Sequence, residues 1–403
     1  MARSRPRPPL WARISIGLGV GVAAVAIASA IAAAAASVVV ARKVVEVPRK
    51  RDEDIRILSM TATTITLSLT DDTRTPGRYG LLFDQGAGHI RIGGILSMDD
   101  DTVTRELVAV DLGDAAIATR ARFSGWFYLS PRQLDVPVED VVIDTPLGPA
   151  PAWVVPAESP GDRWVIQVHG RGVTRAETIR GVPVFRGAGY TSLLISYRND
   201  GVAPDSADRR YALGGTEWRD LEAALDFAVA RGARHIVLMG WSMGGATSLQ
   251  GAILSKHRAI IRGLVLESPV IDWRSVLHYQ ASAMGVPVVI RGGVLRLIGS
   301  EWGGALTGQA QPIDLDALDL VTRAEELTVP TLILHSVDDG YVPADSSRAL
   351  AALRPDIVTY NEFTVARHAK LWNYDEQRWN SAISRWLATL GASNDQAEIA
   401  QRA

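Results

Sequence analysis

The segment Gly240-Trp241-Ser242-Met243-Gly244 constrains this chain more than any other stretch of its sequence. It follows directly on the apolar run 235–239 and precedes a small-residue helical pattern over 246–254, so a strand must turn sharply into a helix at Ser242. The glycines at both ends of the segment carry no Cβ that would clash in so tight a turn. The segment therefore predicts a serine whose hydroxyl is held exposed above a sheet.

A serine hydroxyl becomes a nucleophile with the help of a base, and that base needs a carboxylate to fix its tautomer. Two strand-like stretches downstream of Ser242 end close to such residues. The first, 330–335, runs into a loop that contains Asp339, and the second, 357–363, is followed by His368. The chain order Ser, Asp, His is the order expected for a strand-turn-helix nucleophile. The sequence therefore predicts a catalytic triad of these three residues.

Acyl transfer also needs two N–H donors for the oxyanion of the tetrahedral intermediate. Met243 follows the nucleophile and is predicted to supply the first from its backbone. The second is expected in the loop after an earlier strand, and the strand-like stretch 164–168 leads into His169-Gly170-Arg171-Gly172. Arg171 is the candidate for this donor, with Gly172 as the alternative. His169 is predicted to hold the loop by hydrogen bonds.

Other carboxylates compete for the role of Asp339. Asp338 is adjacent and becomes the acid if the register is shifted by one residue. Glu267 and Asp272 follow the preceding predicted strand, another position from which the acid can come. Helix capping, or pairing with a cation such as Arg274, is the favoured interpretation of these two.

The other histidines have no partner motif. His335 ends a predicted strand and is expected to pack near the acid loop and not to act as the base. The rest are predicted to be surface or packing residues: His89, His235, His257 and His278.

Together these motifs resemble the α/β-hydrolase superfamily over about residues 137–390. The resemblance rests on His169-Gly170-Arg171-Gly172, on the segment 240–245, on 335–343 with Asp339, and on His368. It is strongest towards the bacterial esterase, lipase and serine-peptidase-like branch. It implies an α/β fold with a doubly wound, mostly parallel sheet and a two-step acyl-enzyme mechanism, with carboxylic esters as the favoured substrates. A serine peptidase of the same fold and a non-catalytic membrane-anchored binding module remain as alternatives.

Composition excludes several kinds of site and partner. Cysteine is absent, which excludes disulfides, thiolate catalysis and cysteine-based zinc sites. A net charge of −2 gives no sign of nucleic-acid binding, and the sequence has no phosphate-binding loop, dinucleotide fingerprint or His-Glu-x-x-His spacing. We therefore expect no cofactor, no metal and no nucleic-acid partner, and a small ester or peptide as substrate.

The N-terminal region carries a long apolar segment. No charge interrupts residues 14–41, a span longer than the roughly 20 residues that cross a bilayer. We interpret it as an uncleaved transmembrane helix behind a basic tail, 1–13; a signal peptide cleaved near Ala28-Ser29-Ala30 is the alternative. Basic residues flank both ends, and we favour an internal N-terminus with the catalytic domain on the extracytoplasmic side.

The pattern of apolar and polar residues divides the remaining chain into regions. Apolar and polar residues alternate in short stretches of 56–137, as they do in β-strands. This pattern predicts a small β-rich domain, with an extension of the hydrolase sheet as the alternative. Residues 138–390 form the predicted catalytic domain. An insertion at about 274–328 contains the apolar stretch Met284–Ile298, which suits a lid over an apolar pocket or a packed core helix. The polar tail 391–403 is predicted to be disordered.

Overall fold

A computed structural model describes residues 30–48 and 51–402, with side chains as far as residue 390. The chain divides into a smaller unit that contains 30–45 and 281–312 and a larger unit that begins at Glu46 and contains the rest. The predicted basic tail 1–13 and most of the predicted transmembrane segment lie outside the described residues.

The N-terminal part of the larger unit is a closed antiparallel barrel with the strand order β1-β2-β5-β4-β3-β6. Alternate residues such as Ile65 and Leu67 are buried inside it, as the period of two along each strand requires. The strands are β1 (Ile55–Met60), β2 (Thr64–Ser68), β3 (Tyr79–Phe83), β4 (Gly88–Met98), β5 (Thr102–Leu112) and β6 (Arg120–Ser124). The predicted β-rich domain is confirmed, and the idea that it extends the hydrolase sheet is wrong because the barrel closes on itself.

The rest of the larger unit is built on an eight-stranded sheet with the order β14-β13-β12-β11-β9-β10-β8-β7. Neighbouring strands are parallel except where β8 pairs with β7 and β10. The strands are β7 (Glu139–Thr145), β8 (Gly148–Val155), β9 (Arg163–Val168), β10 (Thr191–Ile195), β11 (His235–Trp241), β12 (Ile261–Glu267), β13 (Thr331–Ser336) and β14 (Val358–Phe363).

Helices cover both faces of this sheet. Among the described residues of the two units together, the helices are α1 (30–45), α2 (Val182–Gly187), α3 (Trp218–Ala230), α4 (Met243–Leu254), α5 (Trp273–Ala283), α6 (Val288–Ile298), α7 (Glu301–Thr307), α8 (Asp345–Leu353), α9 (Leu371–Tyr374) and α10 (Glu376–Arg402). Val237 and Met239 of β11 pack in one cluster with residues of α2 and α10, whereas Leu238 lies against α4. The predicted doubly wound α/β fold is confirmed, and the carboxyl ends of its parallel strands lie along one edge.

In the smaller unit, α1 packs against α6 and α7. Gly293 of α6 lies so close to α1 that a Cβ there would come within 2.5 Å of Ser37 Oγ, and Arg42 Nε donates a hydrogen bond to the Leu306 carbonyl at 2.7 Å. Residues 30–41 of the predicted transmembrane segment belong to α1. Among the described residues, no helix combines the length and apolar character needed to cross a membrane.

Two further predictions concern the C-terminal tail and the insertion. Residues 391–402, predicted to be disordered, continue α10, because alanine, glutamine and glutamate favour helix and the preceding turns are already anchored in the core. The insertion predicted at about 274–328 consists of α5, α6 and α7 followed by irregular chain. Its role as a lid stays a prediction.

Candidate active site

Ser242 occupies a strained turn between β11 and α4. Its φ of 53° and ψ of −118° lie in a region that residues with a Cβ rarely adopt. The surrounding backbone enforces this turn, since a Cβ at Gly240 would lie 2.5 Å from the Gly244 carbonyl oxygen and one at Gly244 would lie 2.2 Å from that of Val168. The two glycines allow β11, α4 and β9 to meet closely, and Ser242 is held at the start of α4.

The structure brings together the three residues of the predicted triad. Asp339 lies in the loop after β13, and His368 lies in the loop after β14. His368 Nδ1 is 2.8 Å from Asp339 Oδ2, and its Nε2 is 2.9 Å from Ser242 Oγ. With its proton on Nδ1, His368 donates to the carboxylate and accepts the serine proton, which is the arrangement that general-base activation of a hydroxyl needs.

The environment of Asp339 keeps its carboxylate ionised. Burial alone would raise its pKa, but the charge of His368 and hydrogen bonds from His335 and His368 outweigh burial and hold the pKa of Asp339 well below its usual range. The other carboxylate oxygen, Oδ1, accepts the backbone N–H groups of Tyr341 and Val342 at 2.9 and 2.8 Å. These contacts leave Oδ2 to face His368, with His335 Nε2 also 3.3 Å from it.

The competing acids have other partners. Asp338 is 3.7 Å from Arg367 and does not contact His368. Asp272 caps the start of α5 by accepting the backbone N–H groups of Arg274 and Ser275. Neither is in a position to orient the base.

Glu267 is fully buried and is used to fix neighbouring elements. Its Oε2 accepts the indole N–H groups of Trp241 and Trp379 at 2.9 and 2.8 Å, and its Oε1 accepts the backbone N–H of Leu371 at 3.1 Å. One carboxylate thus joins the residue before Ser242 to the start of α9 and to α10. Sequence reasoning favoured helix capping or pairing with a cation such as Arg274 over an acid role for Glu267, and it missed these contacts.

We expect Glu267→Gln to destabilise the fold while sparing most of the activity. The amide can accept with its oxygen only, so either the backbone N–H of Leu371 or the two indole N–H groups meet a donor, at a cost of about 1–3 kcal/mol in the free energy of unfolding. Denaturant unfolding and ester hydrolysis measure the two effects. A loss of about 10⁴ in kcat with unchanged stability would instead make Glu267 the catalytic acid.

The predicted oxyanion donors stand beside Ser242. Met243 is the first residue of α4, where backbone N–H groups lack intrahelical acceptors and the helix dipole favours negative charge. The loop that carries Arg171 passes close by, because a Cβ at Gly170 would lie 3.3 Å from Ser242 Cβ. Gly172, the alternative donor, gives its N–H to Tyr211 Oη at 3.1 Å. The roles of Met243 and Arg171 towards an oxyanion stay predictions.

Buried polar contacts hold this loop in place. Tyr197 stacks on the His169 ring and donates its hydroxyl proton towards the carbonyls of His169 and Gly170. His169 Nε2 lies 3.2 Å from Asp200, and Glu177 accepts the Gly170 N–H at 2.8 Å. The loop beside the nucleophile is therefore positioned before any substrate binds.

The other histidines lie in separate settings. His335 lies beneath the acid loop, with Nδ1 2.8 Å from Ser347 Oγ and Nε2 3.0 Å from the Val342 carbonyl. His89 is buried in the barrel, 2.9 Å from Asp111. Neither contacts Ser242.

Residues 168–380 contain the nucleophile turn, Asp339 and His368, and they match the family described as the alpha/beta hydrolase family. The match covers more than half of the chain. The chain belongs to the alpha/beta hydrolase family. This hydrolase carries a second match over residues 56–124, the barrel, to a domain of unknown function (DUF8805). No curated protein matches it in sequence.

Solved structures with a similar fold include three bacterial and archaeal proteins. The esterase Pf2001 of Pyrococcus furiosus is 17% identical with a TM-score of 0.50, over 64% of this chain and 95% of that one. Est1E of Butyrivibrio proteoclasticus is 17% identical with a TM-score of 0.45, over 63% and 99%. A puromycin-hydrolyzing peptidase of Mycobacterium tuberculosis is 18% identical with a TM-score of 0.47, over 81% and 45%. At these identities the likeness concerns the fold alone.

Ser242 and His368 of the hydrolase line a cavity of about 350 Å³. The barrel forms part of its wall, which sequence reasoning missed. The lining residues from the barrel and the segment after it are Asp72, Arg122, Phe123, Ser124, Gly125 and Trp126. The barrel is therefore part of the candidate site.

Contacts at the start of α9 hold the barrel against the hydrolase sheet. Asn373 Nδ2 donates to the carbonyls of Arg78 and Gly125 at 2.8 and 3.0 Å, and Lys370 Nζ is 3.0 Å from Asp72 Oδ1. Lys370 and Asn373 follow His368 closely in the chain. The docking of the barrel and the position of the catalytic base thus depend on the same segment.

A larger cavity of about 800 Å³ lies between α2, Tyr190 and α10. Its described lining residues include neither a histidine nor a carboxylate, so it has no base to activate a nucleophile. The smaller cavity is lined by the predicted nucleophile and base, Ser242 and His368.

Proposed function

We propose that this hydrolase cleaves carboxylic esters through a serine acyl-enzyme intermediate. The observation that supports this most strongly is the hydrogen-bonded chain from Asp339 through His368 to Ser242 beside a cavity. In the first step His368 Nε2 takes the proton of Ser242 as its Oγ attacks the ester carbonyl. The backbone N–H groups of Met243 and Arg171 hold the oxyanion, and Asp339 stabilises the imidazolium.

The second half of the reaction uses the same groups. His368 returns the proton to the leaving alcohol as the tetrahedral intermediate collapses, which leaves the acyl group on Ser242. Water then takes the place of the alcohol, and His368 accepts its proton as it attacks the acyl carbonyl. Collapse of the second intermediate releases the acid and restores the serine hydroxyl.

The cavity favours a small ester over a peptide. Its volume of about 350 Å³ is near the lower end of the roughly 300–1,000 Å³ typical of small-molecule sites. The fold is also that of the Pyrococcus furiosus esterase. A peptidase of the same fold is the second candidate, because the triad is common to both activities.

Two assays separate these functions. A fluorophosphonate probe should label the wild-type protein and not Ser242→Ala; absence of labelling in the wild type would favour a non-catalytic binding module. A panel of short-chain 4-nitrophenyl esters and aminoacyl 4-nitroanilides then compares ester with amide cleavage. We expect turnover of the esters, whereas cleavage of the anilides alone would make the protein a peptidase.

We also propose that residues 14–41 attach the hydrolase to a membrane, with the catalytic domain on the extracytoplasmic side. The uninterrupted apolar sequence supports the attachment. The smaller unit supports it too, because it leaves Ile31, Val288 and Val289 with 64%, 72% and 76% of their surface exposed. Exposed aliphatic side chains of this kind are typical of surfaces that meet lipid or another protein.

Fractionation tests the attachment. The full-length chain should stay in the membrane pellet after an alkaline carbonate wash, whereas a variant lacking residues 2–28, which keeps α1, should be released with its hydrolysis of water-soluble esters retained. Protease protection of the C-terminus in intact cells tests the side. A mature chain that starts near Ala30 in the extracellular fraction would show instead that the segment is a cleaved signal peptide.

A further inference from the structure

The cavity beside Ser242 contains more positive than negative side chains. Its cationic lining residues are Arg51, Arg122, Arg171, Arg367 and Lys370, and its carboxylates are Asp72 and Glu177. An excess of cations in a small concave site attracts anions and raises their local concentration.

Both carboxylates interact with groups other than Arg51 and Arg122. Asp72 pairs with Lys370 at 3.0 Å and lies 3.9 Å from Arg367. Glu177 accepts the Gly170 N–H at 2.8 Å and lies 4.0 Å from Arg180. The charge of Glu177 also acts on Arg51 and Arg122, but burial and the neighbouring arginines outweigh it.

Arg51 and Arg122 line the same cavity without a carboxylate at ion-pair distance, and Arg51 Nη2 donates a hydrogen bond to the Gly172 carbonyl. Over residues 30–48 and 51–390, no carboxylate lies within ion-pair distance of either guanidinium. Burial, then the charge of Arg51, lowers the pKa of Arg122 to about 10. Burial and the charge of Arg171 lower the pKa of Arg51. Both groups remain charged at neutral pH, so they repel each other, and an anion between them would relieve the repulsion.

We propose that Arg51 and Arg122, with Arg171 nearby, bind an anionic group, a carboxylate or a phosphate, on the ester substrate. Guanidinium groups suit either anion because they donate two parallel hydrogen bonds. The anionic group and the ester carbonyl belong to one small molecule, since Arg122 and Ser242 line the same cavity of about 350 Å³. The barrel is then a specificity element of the hydrolase. This inference rests on the proposed ester hydrolysis.

Matched esters test the inference. 4-Nitrophenyl hemisuccinate differs from 4-nitrophenyl butyrate by a carboxylate in place of a methyl group, and butyryl glycerol phosphate differs from monobutyrin by a phosphate. The wild type should have a higher kcat/KM for at least one anionic member than for its neutral partner. The pair with the larger ratio identifies the anion. Equal values, or a preference for both neutral esters, would overturn the proposal.

Arg122→Gln should reduce that anionic-to-neutral ratio about 10-fold to 100-fold, the scale expected for a lost hydrogen bond to a charged group. Arg120→Gln is the matched control: Arg120 lies on the same strand, is exposed and does not line the cavity, so the ratio should stay unchanged. A ratio that Arg122→Gln leaves unchanged would contradict the proposal. A simple loss of folding would lower the activity towards both esters of a pair together and would leave their ratio unchanged.

A binding measurement separates failure of this inference from failure of ester hydrolysis. Calorimetry on Ser242→Ala with monomethyl succinate and methyl butyrate needs no turnover. The anionic ligand should bind more tightly, and the added substitution Arg122→Gln should remove the difference. If no ester is hydrolysed but this preference is present, the anion site stands and the proposed reaction fails; if neither ligand is preferred, the anion site is wrong.

Discussion

Replacing Ser242 with alanine is expected to lower kcat for ester hydrolysis by about 10⁶, the scale seen when a triad nucleophile is removed. The variant keeps the base and the oxyanion donors but has no oxygen that can form the acyl intermediate. Folding should be unaffected, because the substitution removes only the hydroxyl group that contacts His368. Steady-state kinetics and thermal unfolding measure the two effects.

Ser384→Ala is the control for this substitution. Ser384 is exposed on α10 and lies outside the cavity of Ser242, so activity should remain that of the wild type. Near-wild-type turnover by Ser242→Ala would show that the nucleophile lies elsewhere.

Asp339→Asn is expected to lower kcat by about 10⁴. Asparagine keeps the shape and can still accept the backbone N–H groups at Oδ1, but its amide places a donor opposite His368 Nδ1 and favours the wrong tautomer. Because the pKa of Asp339 is held well below its usual range, the wild-type carboxylate remains ionised through the acid limb of a pH profile. The charge is therefore missing from the variant at every pH at which the wild type is active.

Asp338→Asn tests the one-residue alternative. Within the described part of the chain, the charged partner of Asp338 is the partly exposed Arg367, at 3.7 Å. Loss of the Asp338 charge should change kcat by no more than about 3-fold, because surface ion pairs contribute little. If Asp338→Asn were the more damaging of the two, the acid would be Asp338 and the described register would be wrong.

The three residues that the structure brings together could be predicted because each follows a local pattern. Ser242 stands between a strand and a helix. Asp339 follows the buried strand β13 and His368 follows the partly exposed edge strand β14, and the carboxyl ends of these strands lie at one edge of the sheet. The sequence pattern favoured Asp339 over Asp338 but left the choice open, since both lie in the same loop. It depended on which carboxylate reaches His368, a contact between loops 29 residues apart.

What the sequence did not predict depends on distant parts of the chain. Glu267 binds Trp241, Leu371 and Trp379, which belong to three different elements, so nothing around it in the sequence indicates its partners. Arg122 lies on a barrel strand with an ordinary alternating pattern. It becomes a cavity residue because Lys370 and Asn373 hold the barrel against the hydrolase sheet.

The most direct test of the proposed mechanism is to trap the acyl-enzyme. Acid quenching during turnover of 4-nitrophenyl butyrate, followed by peptide mass mapping, should find one butyryl group on the peptide that contains Ser242. The modification should be absent from Ser242→Ala and should form more slowly in Asp339→Asn. A butyryl group on another residue, or continued hydrolysis with no covalent intermediate under conditions where deacylation limits the rate, would contradict the mechanism.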